Sequence, residues 1–255
     1  MALLLRKKEA GKTMNDMIMT IDSLSVSYGD LQALHDVSME FPRGAIVSII
    51  GANGAGKSTL LNAVLGINKP RGGKVFFEGQ DITGLRTSAI VSKGISLSPE
   101  GSSVFEDMSV YENLIVGAFL PKARKKKKEK LEYVFDLFPA LKEKASQRAT
   151  FLSGGQRQML AIARALMSEP KLLICDEVSL GLAPVVVGDI YNSILEVNEK
   201  TGLTIVLVEQ EVKRSLDNSD ISYVLVKGKV VMGGPSDELD EAAVKDAYFG
   251  INQFA

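Results

Sequence analysis

A glycine-rich segment at residues 51–59 combines residue types that hold phosphate groups. Its spacing is glycine, four residues, glycine, lysine and serine, with an apolar stretch before it and a helical pattern after it. Glycines let backbone N–H groups surround phosphate oxygens, Lys57 supplies positive charge to the β- and γ-phosphates, and the Ser58 hydroxyl can ligate Mg²⁺. The predicted nucleotide-binding residues of this segment are Gly51, Ala52, Asn53, Gly54, Ala55, Gly56, Lys57, Ser58 and Thr59. The sequence therefore predicts a nucleotide site that uses Mg²⁺.

Two adjacent carboxylates, Asp176 and Glu177, follow a second apolar stretch, residues 172–175. Beside a bound nucleotide, Asp176 would hold the Mg²⁺ shell, and Glu177 would polarise a water aimed at the γ-phosphate as general base. Solvated acids at a strand end are the structural alternative. The phosphate-loop pattern favours the catalytic interpretation.

A second glycine turn lies between these two segments. Its residues are Leu152, Ser153, Gly154, Gly155 and Gln156. Backbone N–H groups in such a turn, together with the positive end of the helix that follows, can bind an anion. Ordinary loops and helix caps also contain Ser-Gly-Gly, so the turn is informative only because of the phosphate loop and the carboxylate pair on either side of it.

The elements that must position these segments alternate between strand and helix patterns. Antiparallel alternation covers residues 19–28 and 32–41, and further strands are predicted at 45–50, 74–77, 94–99, 171–175, 203–208 and, as a pair, within 221–232. Helices are predicted at 57–65, 154–168 and 184–199, with a helical stretch over about 110–150 between two halves of the core. A last helix is predicted from the start signal Pro235-Ser-Asp-Glu.

Composition restricts the class of protein. The 255 residues are 45% apolar, enough for a large α/β domain, and the longest apolar runs are too short to span a bilayer. A net charge of −1 gives no electrostatic reason to bind nucleic acid. The single cysteine, Cys175, is interpreted as a core residue, and the single histidine, His35, as a strand or turn residue rather than a metal ligand.

One strongly basic run occupies residues 122–130. We expect it to form a solvated loop and the first turn of a helix. Contact with anionic lipid headgroups is the alternative.

Together, the phosphate loop, the carboxylate pair and the glycine turn resemble those of ABC-type ATPase subunits, from about residue 18 to the C-terminus. The resemblance implies an α/β fold: a P-loop NTPase core with a RecA-like, mainly parallel sheet, an N-terminal antiparallel β-subdomain, and a helical insert at about residues 100–160. Residues 1–16 would be an N-terminal extension and residues 17–255 the ATPase domain.

The resemblance also implies roles for two further parts of the chain. In that family, residues 152–156 form the signature motif, which closes on the γ-phosphate of an ATP held by a partner subunit. Tyr28 stands where the family places an aromatic residue that stacks on adenine; a core tyrosine at a strand end is the alternative.

Three departures from the family pattern narrow the resemblance. Glu100 stands where glutamine is usual, Gln210 replaces the switch histidine, and Ala183 replaces an aspartate of the dimer-contact loop. These residues resemble those of branched-chain amino acid importer ATPases, within a wider group that includes urea and amide importers. Within this importer group, position 178 is usually proline, but this chain has Val178.

The resemblance implies that Glu177, Lys57 and Gln210 are catalytic and that Ser58, Asp176 and Glu100 hold Mg²⁺.

The function implied is that of the ATP-hydrolysing subunit of an ABC importer, which couples ATP binding and hydrolysis to uptake of branched-chain or other amino acids through separate permeases. The ATPase of a related urea or amide importer is one alternative. The subunit would be a peripheral protein at the cytoplasmic face of the inner membrane. Its expected partners are a second ABC ATPase subunit, identical or homologous, two membrane permeases and an external substrate-binding protein, but no nucleic acid. Alternatives are a soluble ABC ATPase acting on nucleic acid or ribosomes, a GTPase or small-molecule kinase, and a weakly hydrolysing regulatory subunit. The guanine-reading motif of GTPases is missing, because Asn68-Lys-Pro-Arg71 lacks the acid.

Overall fold

The computed structural model describes residues 16–249. The strands are β1 (Met17–Tyr28), β2 (Leu31–Pro42), β3 (Ile46–Ile50), β4 (Gly72–Phe77), β5 (Gln80–Asp81), β6 (Ile95–Ser98), β7 (Leu172–Asp176), β8 (Thr204–Glu209), β9 (Ile221–Val226) and β10 (Lys229–Pro235). The helices are α1 (Lys57–Val64), α2 (Thr87–Lys93), α3 (Val110–Gly117), α4 (Pro121–Lys125), α5 (Lys127–Leu137), α6 (Pro139–Glu143), α7 (Gly154–Leu166), α8 (Pro184–Thr201), α9 (Val212–Asp217) and α10 (Glu241–Phe249).

The strands form two sheets. The first is antiparallel, in the order β2-β1-β4-β5, and the second has the order β10-β9-β3-β8-β7-β6. In the second sheet every pair is parallel except β9 with β10. All residues of β3 and β8 are buried, because helices or the other sheet cover both faces of the parallel sheet.

Two main hydrophobic cores lie on opposite sides of the parallel sheet. One joins it to the antiparallel sheet, α1 and α2, and the other joins it to α3, α5, α7 and α8. Cys175 is fully buried in the second core, as its sequence context predicts. The α/β class, with a mainly parallel sheet and an antiparallel N-terminal sheet, is confirmed.

The chain between β6 and β7 is helical and contains α3 to α7. Helices α3 and α7 approach closely, since a Cβ on Gly117 would lie 2.2 Å from the Arg164 carbonyl oxygen. The basic run is mostly helical, with α4 and α5 meeting near Lys126, rather than a loop followed by one turn. Within the described residues, no helix has both the length and the apolar character needed to cross a bilayer.

The predicted start of the last helix is wrong. Pro235 ends β10, and the Ser236 hydroxyl bonds to the buried hydroxyls of Ser219 and Ser222. Helix α10 begins at Glu241, where the Ala243 N–H donates to the Asp240 carboxylate at 2.8 Å. Of the polar residues that suggested a cap, Ser236 belongs to a buried serine cluster instead.

Two short helices, α2 and α9, have no counterpart in the sequence-based assignment. Both are too short for a clear helical period. The predicted extension, residues 1–16, lies outside the described residues except for Asp16, and so do residues 250–255.

Candidate active site

The phosphate loop connects β3 to α1, and its backbone requires glycine at specific positions. Gly54 and Gly56 have φ values of 80° and 109°, a region that favours glycine. A Cβ on Gly51 would lie 2.7 Å from the Leu225 carbonyl oxygen, and one on Gly56 would lie 2.9 Å from Leu34. The loop therefore has the open backbone that a phosphate cradle needs, next to the positive end of α1.

Lys57 and Glu177 form a buried ion pair at this loop. Their side chains are 5% and 8% exposed, and Lys57 Nζ lies 3.1 Å from Glu177 Oε1. The same ammonium also donates to the carbonyl oxygens of Gly51 at 2.6 Å and Ala52 at 3.2 Å. Lys57 is thus held at the mouth of the loop by carbonyl oxygens and one carboxylate.

Gln210 completes a three-residue cluster. Its Nε2 donates to Glu177 Oε2 at 2.7 Å, so each oxygen of Glu177 has its own partner. The Glu177 N–H donates to the Val208 carbonyl oxygen at 2.8 Å, which ties the residue to β8. The three predicted catalytic residues meet because the carboxyl ends of β3, β7 and β8 lie at the same edge of the sheet.

Asp176, at the end of β7, lies in a negatively charged environment. Its pKa is raised to about 6, first by burial and then by the charges of Glu177 and Glu100, while Lys57 opposes the shift. Glu100 follows β6 and lines the same cleft as the exposed Ser58. Carboxylate and hydroxyl oxygens are donors that Mg²⁺ prefers, and a divalent cation would relieve this concentration of negative charge. The donor set of Ser58, Asp176 and Glu100 fits the predicted metal.

A cleft of about 550 Å³ surrounds the loop. Beyond the phosphate loop, its lining includes Leu31, Gln32, Ala33 and His35 from β2 and Lys227 from the β9–β10 turn. His35 is a strand residue, as predicted, and its N–H donates to the Gly228 carbonyl oxygen at 2.9 Å. Sequence patterns did not place β2 or Lys227 at this site, because these contacts depend on how the two sheets pack.

Tyr28 lies at the end of β1 and is 49% exposed, so it is not a core tyrosine. Its hydroxyl accepts a hydrogen bond from the Asn68 side-chain amide. The adenine contact remains a prediction.

The second glycine turn caps α7. The Ser153 hydroxyl accepts from the Gln156 N–H at 3.3 Å, and the Ser153 N–H donates to the Gln156 side-chain oxygen at 3.1 Å. Leu152 is buried, and Gly154 and Gly155 face Leu182 and Val186 near the start of α8. The cleft around Lys57 is lined by other segments, so the turn and the phosphate loop occupy separate places on the chain.

Glu209 is a buried acid whose importance the sequence analysis did not recognise. It is 2% exposed and accepts hydrogen bonds from the Tyr191 hydroxyl at 2.8 Å and the Ser179 hydroxyl at 2.9 Å. Burial raises the pKa of its carboxyl, and the two donors oppose that shift. Its carbonyl oxygen accepts from the Gly51 N–H, so Glu209 connects the phosphate loop to the segment after Glu177. The available signal was an acid within an apolar strand, directly before Gln210.

Most residues of the candidate site lie in the part of the chain that matches a known protein family. The sequence model described as ABC transporter matches residues 34–179, more than half of the chain. The chain belongs to the ABC transporter family. The phosphate loop, the glycine turn and the carboxylate pair all lie within the matched residues.

The sequences of two ABC relatives align with most of the chain. It is 45% identical to the high-affinity branched-chain amino acid transport ATP-binding protein BraG of Pseudomonas aeruginosa, over 91% of this chain and 100% of that protein. It is 37% identical to the probable branched-chain amino acid transport ATP-binding protein LivF of Archaeoglobus fulgidus, over 88% of this chain and 94% of that one.

A solved ABC cassette has the same fold. The ADP conformation of MJ1267, an ATP-binding cassette of an ABC transporter, aligns with a TM-score of 0.79 and 30% identity, over 94% of this chain and 99% of that one. The expected ABC ATPase family is therefore confirmed. The roles of the individual ABC site residues remain predictions.

Proposed function

We propose that this ABC ATPase is the ATP-hydrolysing subunit of an importer for branched-chain or other amino acids. The observation that carries the proposal is the placement of Glu177 between Lys57 and Gln210, at the mouth of a glycine-rich phosphate loop. The substrate class is supported by the names of the BraG and LivF relatives, together with Glu100 and Gln210 at positions typical of that importer group.

The cluster suggests how hydrolysis is organised. A γ-phosphate competes with Glu177 for the Lys57 ammonium, because a phosphate carries more negative charge than a carboxylate. Glu177 Oε1 then becomes free to accept a proton from water, while Gln210 holds Oε2 and limits the rotation of the carboxylate. The side-chain amide of Gln210 donates a hydrogen bond but does not take up a proton at neutral pH, so Glu177 acts as the base.

Mg²⁺ would be held by Ser58, Asp176 and Glu100 and would neutralise charge on the phosphate oxygens. Glu100 contributes a negative charge where the family usually has a neutral amide. Its position beside Asp176 suits metal ligation better than direct contact with phosphate, which it would repel.

A complete hydrolytic site requires a second subunit. Ser153 to Gln156 lie away from the Lys57 cleft, which supports their action on an ATP bound by a partner. The partner would be an identical or homologous ABC ATPase, placed with this chain at the cytoplasmic face of the inner membrane as a peripheral pair.

The surface that would meet the permeases is exposed and apolar. Phe105, Met108, Tyr111, Val116 and Phe119 are each more than a third exposed. The Asn113 side chain bonds to both the N–H and the carbonyl oxygen of Phe105, and the Arg164 guanidinium lies 5.0 Å from its ring. Arg164 belongs to α7, so motion of the glycine turn would reach this surface directly.

Uptake by the reconstituted transporter tests the proposal. The chain, its second ATPase, two permeases and the binding protein are incorporated in liposomes, and uptake of radiolabelled leucine and urea is compared with ATP inside. We expect ATP-dependent leucine uptake that Glu177→Gln abolishes. Urea uptake alone would reassign the substrate to the urea and amide group, and leucine uptake that survives Glu177→Gln would support a weakly hydrolysing regulatory subunit instead.

A further inference from the structure

A basic cleft lies at the edge of the parallel sheet opposite to the phosphate loop. Its volume is about 380 Å³, and it is lined where β3, β7 and β8 begin, by Gly44, Lys171 and Thr204. The phosphate loop follows the other end of β3, so the five residues of that strand separate the two sites by about 17 Å. The volume lies within the range of small-molecule sites.

Cations dominate the walls of this basic cleft. Arg43, Lys122, Lys130 and Lys171 line it, and Lys126 reaches the same carboxylate as Lys130. Three lysines of the basic run that are spaced four residues apart therefore lie at this cleft, namely Lys122, Lys126 and Lys130.

Two carboxylates only partly balance these charges. Glu169 Oε1 lies 3.6 Å from Lys126 Nζ and 3.4 Å from Lys130 Nζ, and Glu78 pairs with Arg43 and Lys171. Glu196 is close enough to act electrostatically on Tyr133, but it is itself paired with Lys200. Five cations therefore share two carboxylates, which favours an anionic ligand.

Two buried polar atoms also point to a ligand. Glu169 Oε2 and Tyr133 Oη are shielded from solvent, and neither has a hydrogen-bond partner among the described residues. The Glu169 side chain is only 9% exposed. Leaving such groups unpaired is costly, so a ligand that both donates and accepts hydrogen bonds would be stabilised here.

We propose that the basic cleft binds a phosphate ester that carries free hydroxyl groups. The phosphate lies against the lysines and accepts from the Tyr133 hydroxyl, and a ligand hydroxyl donates to Glu169 Oε2. A doubly charged phosphate matches the excess of cations better than a single carboxylate does. Soluble sugar phosphates and the headgroups of glycerophospholipids share this chemistry, and the site is independent of the proposed transport function.

Binding measurements on the full-length chain test this site. Glucose 6-phosphate and sn-glycerol 3-phosphate are titrated calorimetrically with ADP present to occupy the phosphate loop, and vesicles of phosphatidylglycerol are compared with phosphatidylcholine. We expect Lys122→Glu and Tyr133→Phe each to weaken binding about tenfold. Lys128→Glu makes the same charge change on an exposed face of the basic run, outside the cleft, and should leave binding unchanged.

The outcomes separate the two sources of the phosphate ester. Binding of the soluble esters with this pattern of variants supports a metabolite site, and the same pattern seen only with phosphatidylglycerol vesicles supports a headgroup site. The proposal is overturned if neither probe binds at millimolar concentration. It is also overturned if Lys128→Glu weakens binding as much as Lys122→Glu, since that result indicates general surface charge.

Discussion

Among single residues, Glu177 is distinguished by its two carboxylate oxygens, which contact partners of different chemistry. Lys57 contributes a charge that a phosphate can take over, and Gln210 contributes a neutral hydrogen bond that has no such competitor. Under the proposed mechanism, a bound ATP would remove the ion pair, and Glu177 could then act as a general base although it is buried beside a lysine.

Replacing Glu177 tests this role directly. Glu177→Gln should reduce ATP hydrolysis by about a hundredfold to ten-thousandfold, while ATP binding is retained, because the amide cannot accept the proton of water. Steady-state hydrolysis and equilibrium binding of ATP would be measured together. Glu132→Gln, on the exposed face of α5, provides the matched control. Normal turnover in Glu177→Gln would show that another group is the base.

Glu209 should make stability depend on pH. Burial raises the pKa of its carboxyl in the folded protein above the unfolded value of about 4.3. The stabilisation that such a group contributes is present below the unfolded pKa and is lost as pH rises through the folded pKa. Glu209→Gln, which removes the buried charge, should therefore become more stable relative to the unmodified protein as pH rises.

Urea unfolding at a series of pH values between about 4 and 8 measures this difference. Glu132→Gln again serves as the exposed control and should show a flat difference. A flat or falling difference for Glu209→Gln would mean that Tyr191 and Ser179 fully compensate the buried charge.

Among the secondary-structure elements, α8 constrains the glycine turn as strongly as the turn's own capping box does, because α8 packs directly against Gly155. A Cβ on Gly155 would lie 2.0 Å from Val186 Cγ1, closer than any real contact, whereas Gly188 on α8 has nothing within 4 Å of an added Cβ. The close approach of α7 and α8 thus explains the second glycine of the turn without reference to nucleotide.

These two glycines give opposite predictions for the same substitution. Gly155→Ala should lower the free energy of unfolding by about 1–3 kcal/mol through overpacking. Gly188→Ala should raise it by about 0.5–1 kcal/mol, because alanine is the better helix former. Urea denaturation of both variants provides the comparison. Equal effects would contradict the close packing of α7 on α8.

At the scale of the whole molecule, the chain carries one phosphate loop and one glycine turn in separate places. A head-to-tail pair would bring the turn of one subunit to the loop of the other. The two halves of each hydrolytic site can then be inactivated independently.

Ser153→Arg should leave ATP binding to its own loop intact but reduce hydrolysis about a hundredfold or more, since it blocks a phosphate contact in the partner's site. Lys57→Ala should lose ATP binding itself. Filter binding and hydrolysis assays separate the two, with circular dichroism to verify folding.

Mixing these variants identifies the partner. If the pair consists of two copies of this chain, the mixture recovers activity, because a mixed pair retains one intact composite site. No recovery, together with activity restored by a second ABC subunit, indicates a heteromeric pair. Loss of ATP binding in Ser153→Arg would contradict the separation of turn and loop.

Local spacing and the types of side chain were enough to predict the family and the α/β class, and they also identified the residues proposed to form the phosphate loop. The sequence also predicted Asp176 as a metal ligand and Glu177 and Gln210 as catalytic residues. It could not show that Glu177 holds both Lys57 and Gln210, since those residues are far apart in the chain and meet only at the edge of a sheet.

The packing of strands and helices gives several polar residues partners that the linear sequence does not indicate. Ser236 enters a buried serine cluster instead of starting a helix, and Glu209 is held by Tyr191 and Ser179. Lys126 and Lys130 of the basic run pair with Glu169, which is only 9% exposed, rather than only with solvent. Hydrophobic periods predict which elements form, but the partner of a polar group depends on which strands and helices pack together, and a linear pattern does not contain that information.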